Sequence, residues 1–544
     1  MKKNGFLEGA FIATISVIIC KILGLIYVIP FYSIIGEQGG ALYSYAYSIY
    51  SIFLSLATVG IPTAISKIVS EYNALGYQYL KQKAYKIGLK LLVGLGIICF
   101  IILFIFAPQV AILIKGNAVG GNSIESITLV IRSISTAVLI VPLLSAKKGY
   151  MQGHKFMSVP QFSTVIEQLI RVIIIVVGSY LSYKVFGMDL DQSIAIAVFG
   201  ATIGAICAYF FVDRKIKQNK KEFNIDAKIT EEEKKISNKT LLKKIVFFAL
   251  PFVLIDLIKS AYDLVDLFTV VRTLTAVGYS TIDAENVVGV ISTWASKLNM
   301  IIISISMGLT ASLIPNIMPS FVKKDFKDVS KKINQALQIL IILTIPMTIG
   351  LSFLAYPVWN AFYGYNAVGI DVLRIYVFLA LTSSFQSVLV ESSQIMNNTK
   401  LTLGSLILGV IIKLILNVPM IHLFNFIGLQ GYYGPTIASI ISQLITIIFL
   451  LIKLNRKYQV NYGETIKIFG KTLLATLFMV VSLIFLNLFL PIDNSDRKIS
   501  VLICALYCIV GAVAYFIVAL KLKIIPFINK FSDIKNIIQR RKFK

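Results

Sequence analysis

The stretch ISVIICKILGLIYVIPFY, residues 15–32, decides the fold: it is almost wholly apolar and carries one charge, Lys21. Its length is close to the roughly 20 apolar residues that a helix needs to cross a bilayer core. Comparable runs recur along all 544 residues, of which 57% are hydrophobic and 14% charged; soluble domains carry about a quarter charged. The mean hydropathy is +0.82. These features predict an all-α polytopic membrane protein, since a β-barrel would show short alternating segments instead. About fourteen spans are expected, near residues 9–35, 41–70, 87–114, 127–150, 159–183, 190–212, 243–272, 287–318, 334–362, 370–396, 401–424, 432–454, 467–490 and 499–522.

The charge distribution sets the orientation. The net charge of +26 is carried by lysines in the gaps between spans, a pattern that fits anionic lipid headgroups rather than nucleic acid. Gaps after even-numbered spans hold Lys81, Lys83, Lys86, Lys147, Lys148, Lys155, Lys323, Lys324, Lys327, Lys453, Arg456 and Lys457. Gaps after odd-numbered spans hold little beyond Lys115, Lys184, Arg497 and Lys498. Both termini are therefore expected to be cytoplasmic, in the cell membrane. The start, MKKNGFLEGAF, superficially resembles a signal peptide, but the apolar run continues too far and ends in no small-residue cleavage site. The five cysteines all lie in apolar runs without metal-ligand spacing, so neither a disulfide nor a metal site is expected.

An internal repeat divides the chain. At an offset of 242, Val130 meets Val372, Arg132 meets Arg374, Gln152 meets Gln394, Ser163 meets Ser405 and Arg171 meets Lys413. An even number of spans per unit makes the repeats parallel, which places a substrate site near the midplane of the membrane. The expected organisation is an N-lobe over 1–212 (spans 1–6), a charged cytoplasmic linker over 213–242 and a C-lobe over 243–454 (spans 7–12). Spans 13 and 14 follow over 455–524, then a basic amphipathic cytoplasmic tail over 525–544 whose apolar stripe suits the membrane surface.

Charges at bilayer depth mark candidate sites, because each costs about 2.5–3.5 kcal/mol unless it faces a cavity or a partner. Lys21 lies mid-span, roughly 20 Å from either end at ~1.5 Å per residue, beyond the reach of a snorkelling side chain. Gly24 shares its stripe and lets a helix or ligand approach. In span 7, Asp256, Lys259, Asp263 and Asp266 follow steps of three and four residues and so form one stripe. They suit a water-filled path, with the aspartates as candidate sites for Na⁺ or a proton; the alternative is an internally paired packing face. Lys297 lies in span 8. Lys21, Lys259 and Lys297 together imply an anionic substrate group such as phosphate. Glu167 and Arg171, at i and i+4 in span 5, are candidates for mutual pairing. Gly60 and Pro62 in span 2, with Gly308 and Pro315 in span 8, are candidate bending points; Gln152 belongs to the repeat signal.

These residues also carry a resemblance. KILGLIYVIPFYSIIGEQGGALYSYAYSIYSIFLSLATVGIPTAISKIVSEYN, the block GYMQGHKFMSVPQFSTVIEQLIRV and the fourteen-span plan resemble the polysaccharide-transport branch of the MOP exporter superfamily. Within it, the chain is similar to Gram-positive lipid II flippases of the MurJ type and to the stage V sporulation protein B group. The resemblance implies two six-helix lobes in a V, with spans 1, 2, 7 and 8 lining a cavity and spans 13 and 14 forming a lipid groove. It implies alternating access that carries an undecaprenyl-pyrophosphate-linked peptidoglycan precursor outward. The family's cationic cavity residues fall on Lys21 and Lys297. A second family arginine of span 1 falls at Tyr27, its neighbouring acid at Val28, and the arginine of span 2 has no counterpart near Phe53.

The expected function is therefore a lipid II flippase, not an enzyme, with no cofactor and with coupling to membrane potential, Na⁺ or H⁺. Its expected partners are the lipid-linked glycan and membrane lipid. A monomer is expected, in transient contact with the cell-wall synthesis machinery. The alternatives are a flippase for another lipid-linked oligosaccharide, an ion-coupled drug exporter of the MATE type, and a membrane glycosyltransferase. Against a MATE exporter stand the lysine in span 1, where that group carries an acid, and the two extra spans. An enzyme would need a nucleophile–base cluster or a phosphate-cradling glycine loop, and the chain has only two histidines, His154 and His422.

Overall fold

The computed structural model describes residues 6–524, apart from 59, 224–229, 231–232, 234–235, 397 and 494–495. The basic tail over 525–544 and much of the charged linker therefore lie outside the described residues. All regular structure among the described residues is helical. Among the described residues, twelve helices are long and apolar enough to cross a membrane. The helix Phe6–Ile26 occupies the place of span 1, and Asn238–Ala276, 39 residues long, that of span 7.

Local departures from regular helix concentrate around spans 1, 2, 5 and 8. The first span breaks at Tyr27, although Tyr27 N–H still donates to Leu23 O (3.3 Å) and Phe31 N–H to Tyr27 O (3.1 Å). Between spans 1 and 2 the backbone leaves the helix at Gly36 (φ 65°, ψ −165°), a left-handed φ that glycine adopts at no steric cost. Span 5 runs from the α-helix Ser158–Ile173 into π-turns at Ile174–Gly178 and Leu181–Val185. Span 8 contains the π-turn Val290–Trp294. Such π-bulges are frequent at functional sites.

The chain forms two compact units, one of residues 1–297 and 413–435, the other of residues 298–412 and 436–544. In the first, Ile61, Ile65, Leu92, Leu144, Tyr150 and Phe156 belong to one buried core. Because lipid is as apolar as leucine, helices in a membrane associate through close packing and polar contacts. Gly60 is such a contact: a Cβ there would lie 2.7 Å from the Ala249 carbonyl oxygen, so its bare Cα lets spans 2 and 7 touch. Pro62 is buried beside it. The hydroxyls of Ser44 and Thr293 meet at 2.6 Å, as do those of Thr136 and Thr202. Each such bond contributes on average about 0.6 kcal/mol in a membrane.

Two described linker residues, Phe223 and Glu233, are docked onto the helices. Phe223 is fully buried; its ring packs on Tyr150, His154 and Phe156, and its carbonyl accepts from Gln82 Nε2 (2.6 Å). Glu233 caps the start of the helix Gln78–Ile105, accepting from the N–H groups of Tyr79 (3.0 Å) and Leu80 (3.1 Å). Burial raises the Glu233 pKa, but the Thr230, Leu80 and Tyr79 amides and the Thr230 hydroxyl outweigh it and hold the carboxyl below its ordinary range.

In the second unit, spans 13 and 14 pack on span 9 through Ile342, Met479, Leu483, Tyr507 and Tyr515. The Tyr515 hydroxyl donates to Ile342 O (2.7 Å).

Candidate functional site

Lys21 is half-buried on the helix Phe6–Ile26. Lys297 is half-buried three residues beyond the π-turn of span 8. The two charges lie close enough to act on each other. The Lys297 ammonium stands 5.6 Å from the centroid of the Tyr27 ring, within cation–π range. Tyr27 and Tyr43 share a hydroxyl–hydroxyl bond of 3.1 Å, and the Tyr43 ring stacks on Tyr47 at 5.4 Å. The break at Tyr27 therefore delivers an aromatic ring and a hydroxyl next to the cations.

Spans 4 and 5 add two more cations and one acid. Arg171 is buried; its Nη1 donates to the Tyr47 hydroxyl (3.3 Å) and its Nη2 to Glu167 Oε1 (3.0 Å). Glu167 Oε2 also accepts from Lys148 (2.9 Å), which bonds Thr164 (3.1 Å). The charges of Arg171, Lys148 and Glu167 all act on Cys20, the neighbour of Lys21. Gly24 lies 3.8 Å, measured from a built Cβ, from Gln168 of span 5. Lys148 and Arg171 share the one carboxylate, Glu167, and Lys21 and Lys297 form no ion pair with a described residue, so these four cations and one acid leave an excess of three positive charges. The buried Arg171 Nε has no hydrogen-bond partner among the described residues.

The aspartates of span 7 separate. Asp266 is buried and paired with Lys413 at 2.6 Å, and Asn417 Nδ2 donates to its other oxygen (3.1 Å) and to Thr269 (2.7 Å). A cation arriving at Asp266 would have to displace the Lys413 ammonium. Asp256 is half-buried, and Asp263 and Lys259 are exposed. Like Lys21 and Lys297, Lys259 forms no ion pair with a described residue. Gln152 is half-buried near the end of the helix Ala137–Gly153. Pro315 lies in the helix Ala295–Val322, but its side chain is outside the described residues. Arg171 and Lys413, equivalent in the repeat, each hold an acid. The helix Ala137–Gly153 ends 242 residues before Ile395, the last residue of Ala367–Ile395.

Sequence reasoning missed Tyr47 and Lys148 as members of this group. Lys148 reads as one of the lysines of an inter-span gap, and only its bond to Glu167 links it to the site. For Tyr47 the available signal was the run of tyrosines at 43, 45, 47 and 50.

Comparison with known proteins supports a transport fold. A family described as "Polysaccharide biosynthesis protein" matches residues 6–321. The lipid II flippase MurJ of Bacillus subtilis (strain 168) is 32% identical over 468 residues, covering 85% of this chain and 84% of that protein. Stage V sporulation protein B of the same organism is 23% identical over 417 residues, covering 76% and 77%. Among solved structures, a lipid II flippase MurJ in an inward closed conformation superposes with a TM-score of 0.67 at 16% identity, covering 94% of this chain and 98% of that one. An inward-facing multidrug resistance MATE family transporter of the MOP superfamily reaches 0.66 at 16% identity, covering 82% and 98%.

Proposed function

We propose a function from one premise: this multi-pass membrane chain belongs to the polysaccharide biosynthesis protein family, in the polysaccharide-transport branch of the MOP exporter superfamily. It moves a polyprenyl-pyrophosphate-linked peptidoglycan precursor, lipid II, from the inner to the outer leaflet by alternating access. The observation that carries this reading is the excess of three positive charges around Lys21, Lys148, Arg171 and Lys297. A pyrophosphate diester, with about two negative charges, would offset most of that excess. Lys21 and Lys297 act as point-charge partners for its oxygens, and the Arg171 Nε–H supplies a donor. The prenyl chain stays in lipid while the head crosses.

The energetics favour the outward direction. With the cell interior negative, moving about two negative charges outward releases roughly 4–5 kcal/mol per 100 mV. Any part of that charge carried back and forth by the lysines reduces the net displacement. The same cation excess disfavours export of a cationic drug, the reading suggested by the MATE likeness.

Purified chain in vesicles tests the assignment. A fluorescent lipid II should reach the outer leaflet in a manner that depends on the protein, and an inside-negative potential should speed it. Transport of a cationic dye with no lipid II movement would refute the proposal, and faster flipping of a different lipid-linked oligosaccharide would reassign the glycan.

A further inference from the structure

A polar pocket lies in the other unit, between the beginnings of spans 9 and 13. It has a volume of about 750 Å³ and is lined by Lys327, Lys331, Asn334, Gln338, Glu464 and Lys467, among others. The helices Phe326–Phe353 and Gly463–Phe489 supply these side chains. Three lysines face one glutamate, and none of the three lysines forms an ion pair with a described residue. They are exposed, whereas Asn334 and Gln338 are buried beneath them.

The floor of the pocket is rigidly bonded. Asn334 Nδ2 donates to Asn461 O (2.9 Å) and Asn334 Oδ1 accepts from Thr465 (2.6 Å). Gln338 Nε2 reaches the Thr465 hydroxyl (3.3 Å), and the Asn461 N–H donates to Ser330 (3.3 Å). The amides are thus spent on holding the two helices in register, while the lysine ammoniums remain available. Further along the same two helices lies an apolar pocket of about 500 Å³ lined by Ile349, Gly470, Leu474, Leu477 and Val480. Ile349 is eleven residues past Gln338, or about 16 Å along a helix, a length matched by a dozen or so methylenes.

We propose that the lysine-rimmed pocket binds a phosphate-bearing anion, presented as the headgroup of a membrane lipid whose chain lies along the apolar pocket below. The rim lies on the lysine-rich side that the charge distribution assigns to the cytoplasm, where anionic lipid is enriched. The site shares no residue with the Lys21 cluster, so it stands whether or not the chain moves lipid II. The pairing of unpaired ammoniums above with an apolar slot below suits an amphiphile better than a soluble anion.

Native mass spectrometry of the full purified chain gives the test, with phosphatidylglycerol, phosphatidylcholine and inorganic phosphate as probes. Phosphatidylglycerol should be retained and phosphatidylcholine not. Each lysine should contribute roughly 5-fold, so the variant Lys327→Gln/Lys331→Gln/Lys467→Gln should lose on the order of 100-fold in affinity. The single variant Lys467→Gln, which keeps the fold if the triple does not, should lose roughly 5-fold. A control removing three other exposed charges on the same side, Lys323→Gln/Lys324→Gln/Arg456→Gln, should leave retention unchanged. Equal loss in both triple variants would reduce the effect to diffuse surface attraction and overturn the site. Undiminished binding in the pocket variants would overturn it too. Displacement of the lipid by equimolar inorganic phosphate would overturn the lipid as its occupant.

Discussion

Replacing Lys413 with methionine strands a carboxylate in the membrane interior. The Lys413 side chain is 1% exposed and that of Asp266 10%, with 2.6 Å between charged atoms. Without the ammonium, Asp266 keeps only the Asn417 amide at 3.1 Å. Breaking a buried pair on one side costs about 3–5 kcal/mol, whereas replacing both partners with neutral groups of similar volume is often near neutral. Lys413→Met should therefore lower the thermal midpoint of the detergent-purified chain sharply, and Asp266→Asn/Lys413→Met should restore most of it. The double-mutant cycle should give a coupling of about 2 kcal/mol or more. A Lys413→Met chain that melts like the unmodified one, or a coupling below about 0.5 kcal/mol, would refute the pairing. The double variant also separates structure from ion coupling. If it is stable and still flips lipid II, the pair holds spans 7 and 11 together and does not carry the coupling ion.

Three further outcomes follow from the geometry. Tyr27→Phe keeps the ring under Lys297 and should leave lipid II affinity near normal, whereas Tyr27→Leu should weaken it by about 2–5-fold, the 0.5–1 kcal/mol of one cation–π contact; titration of a fluorescent lipid II reads both. Gly60→Ala puts a methyl against the Ala249 carbonyl and should destabilise the chain by about 1–3 kcal/mol through overpacking, seen as a lower thermal midpoint. Glu233 has a depressed carboxyl pKa, so its clip on the linker is fully present above the ordinary glutamate range and is lost only as pH falls through that lower value. Hydrogen exchange at the Tyr79 and Leu80 amides should stay slow down to the ordinary glutamate range and speed up below it, and Glu233→Gln should abolish that pH dependence.

The fold was legible because its signals are collective. Fourteen apolar runs, alternating lysine-rich gaps and a gapless offset of 242 each involve many residues, so a few ambiguous positions do not matter. The site was not, because it depends on which helices touch. Arg171 and Glu167 read as a pair from their spacing, but nothing in the sequence shows that Lys148, from the end of span 4, completes it. Tyr27 reads as a lost arginine when matched to relatives. In the structure it is the ring beside Lys297. The stripe of span 7 is real as a helical spacing, yet helical spacing cannot tell a cavity face from a packing face. Asp266 turned out to be buried against Lys413, while Lys259 and Asp263 are exposed. The burial of Phe223 and Glu233 in the linker was not legible either, since it comes from the helix ends they meet.

The central claim is that a fixed positive charge at the position of Lys21 holds the substrate's anionic head. Initial rates of lipid II flipping in vesicles, for Lys21→Ala and Lys21→Arg beside the unmodified chain, test it most directly. Losing one ammonium–oxygen contact of about 4 Å costs up to about 4 kcal/mol at an effective dielectric constant near 20. Lys21→Ala should therefore slow flipping by two to three orders of magnitude at unchanged expression, and Lys21→Arg, which keeps the charge, should retain most of the rate. Flipping by Lys21→Ala at the unmodified rate would contradict the account.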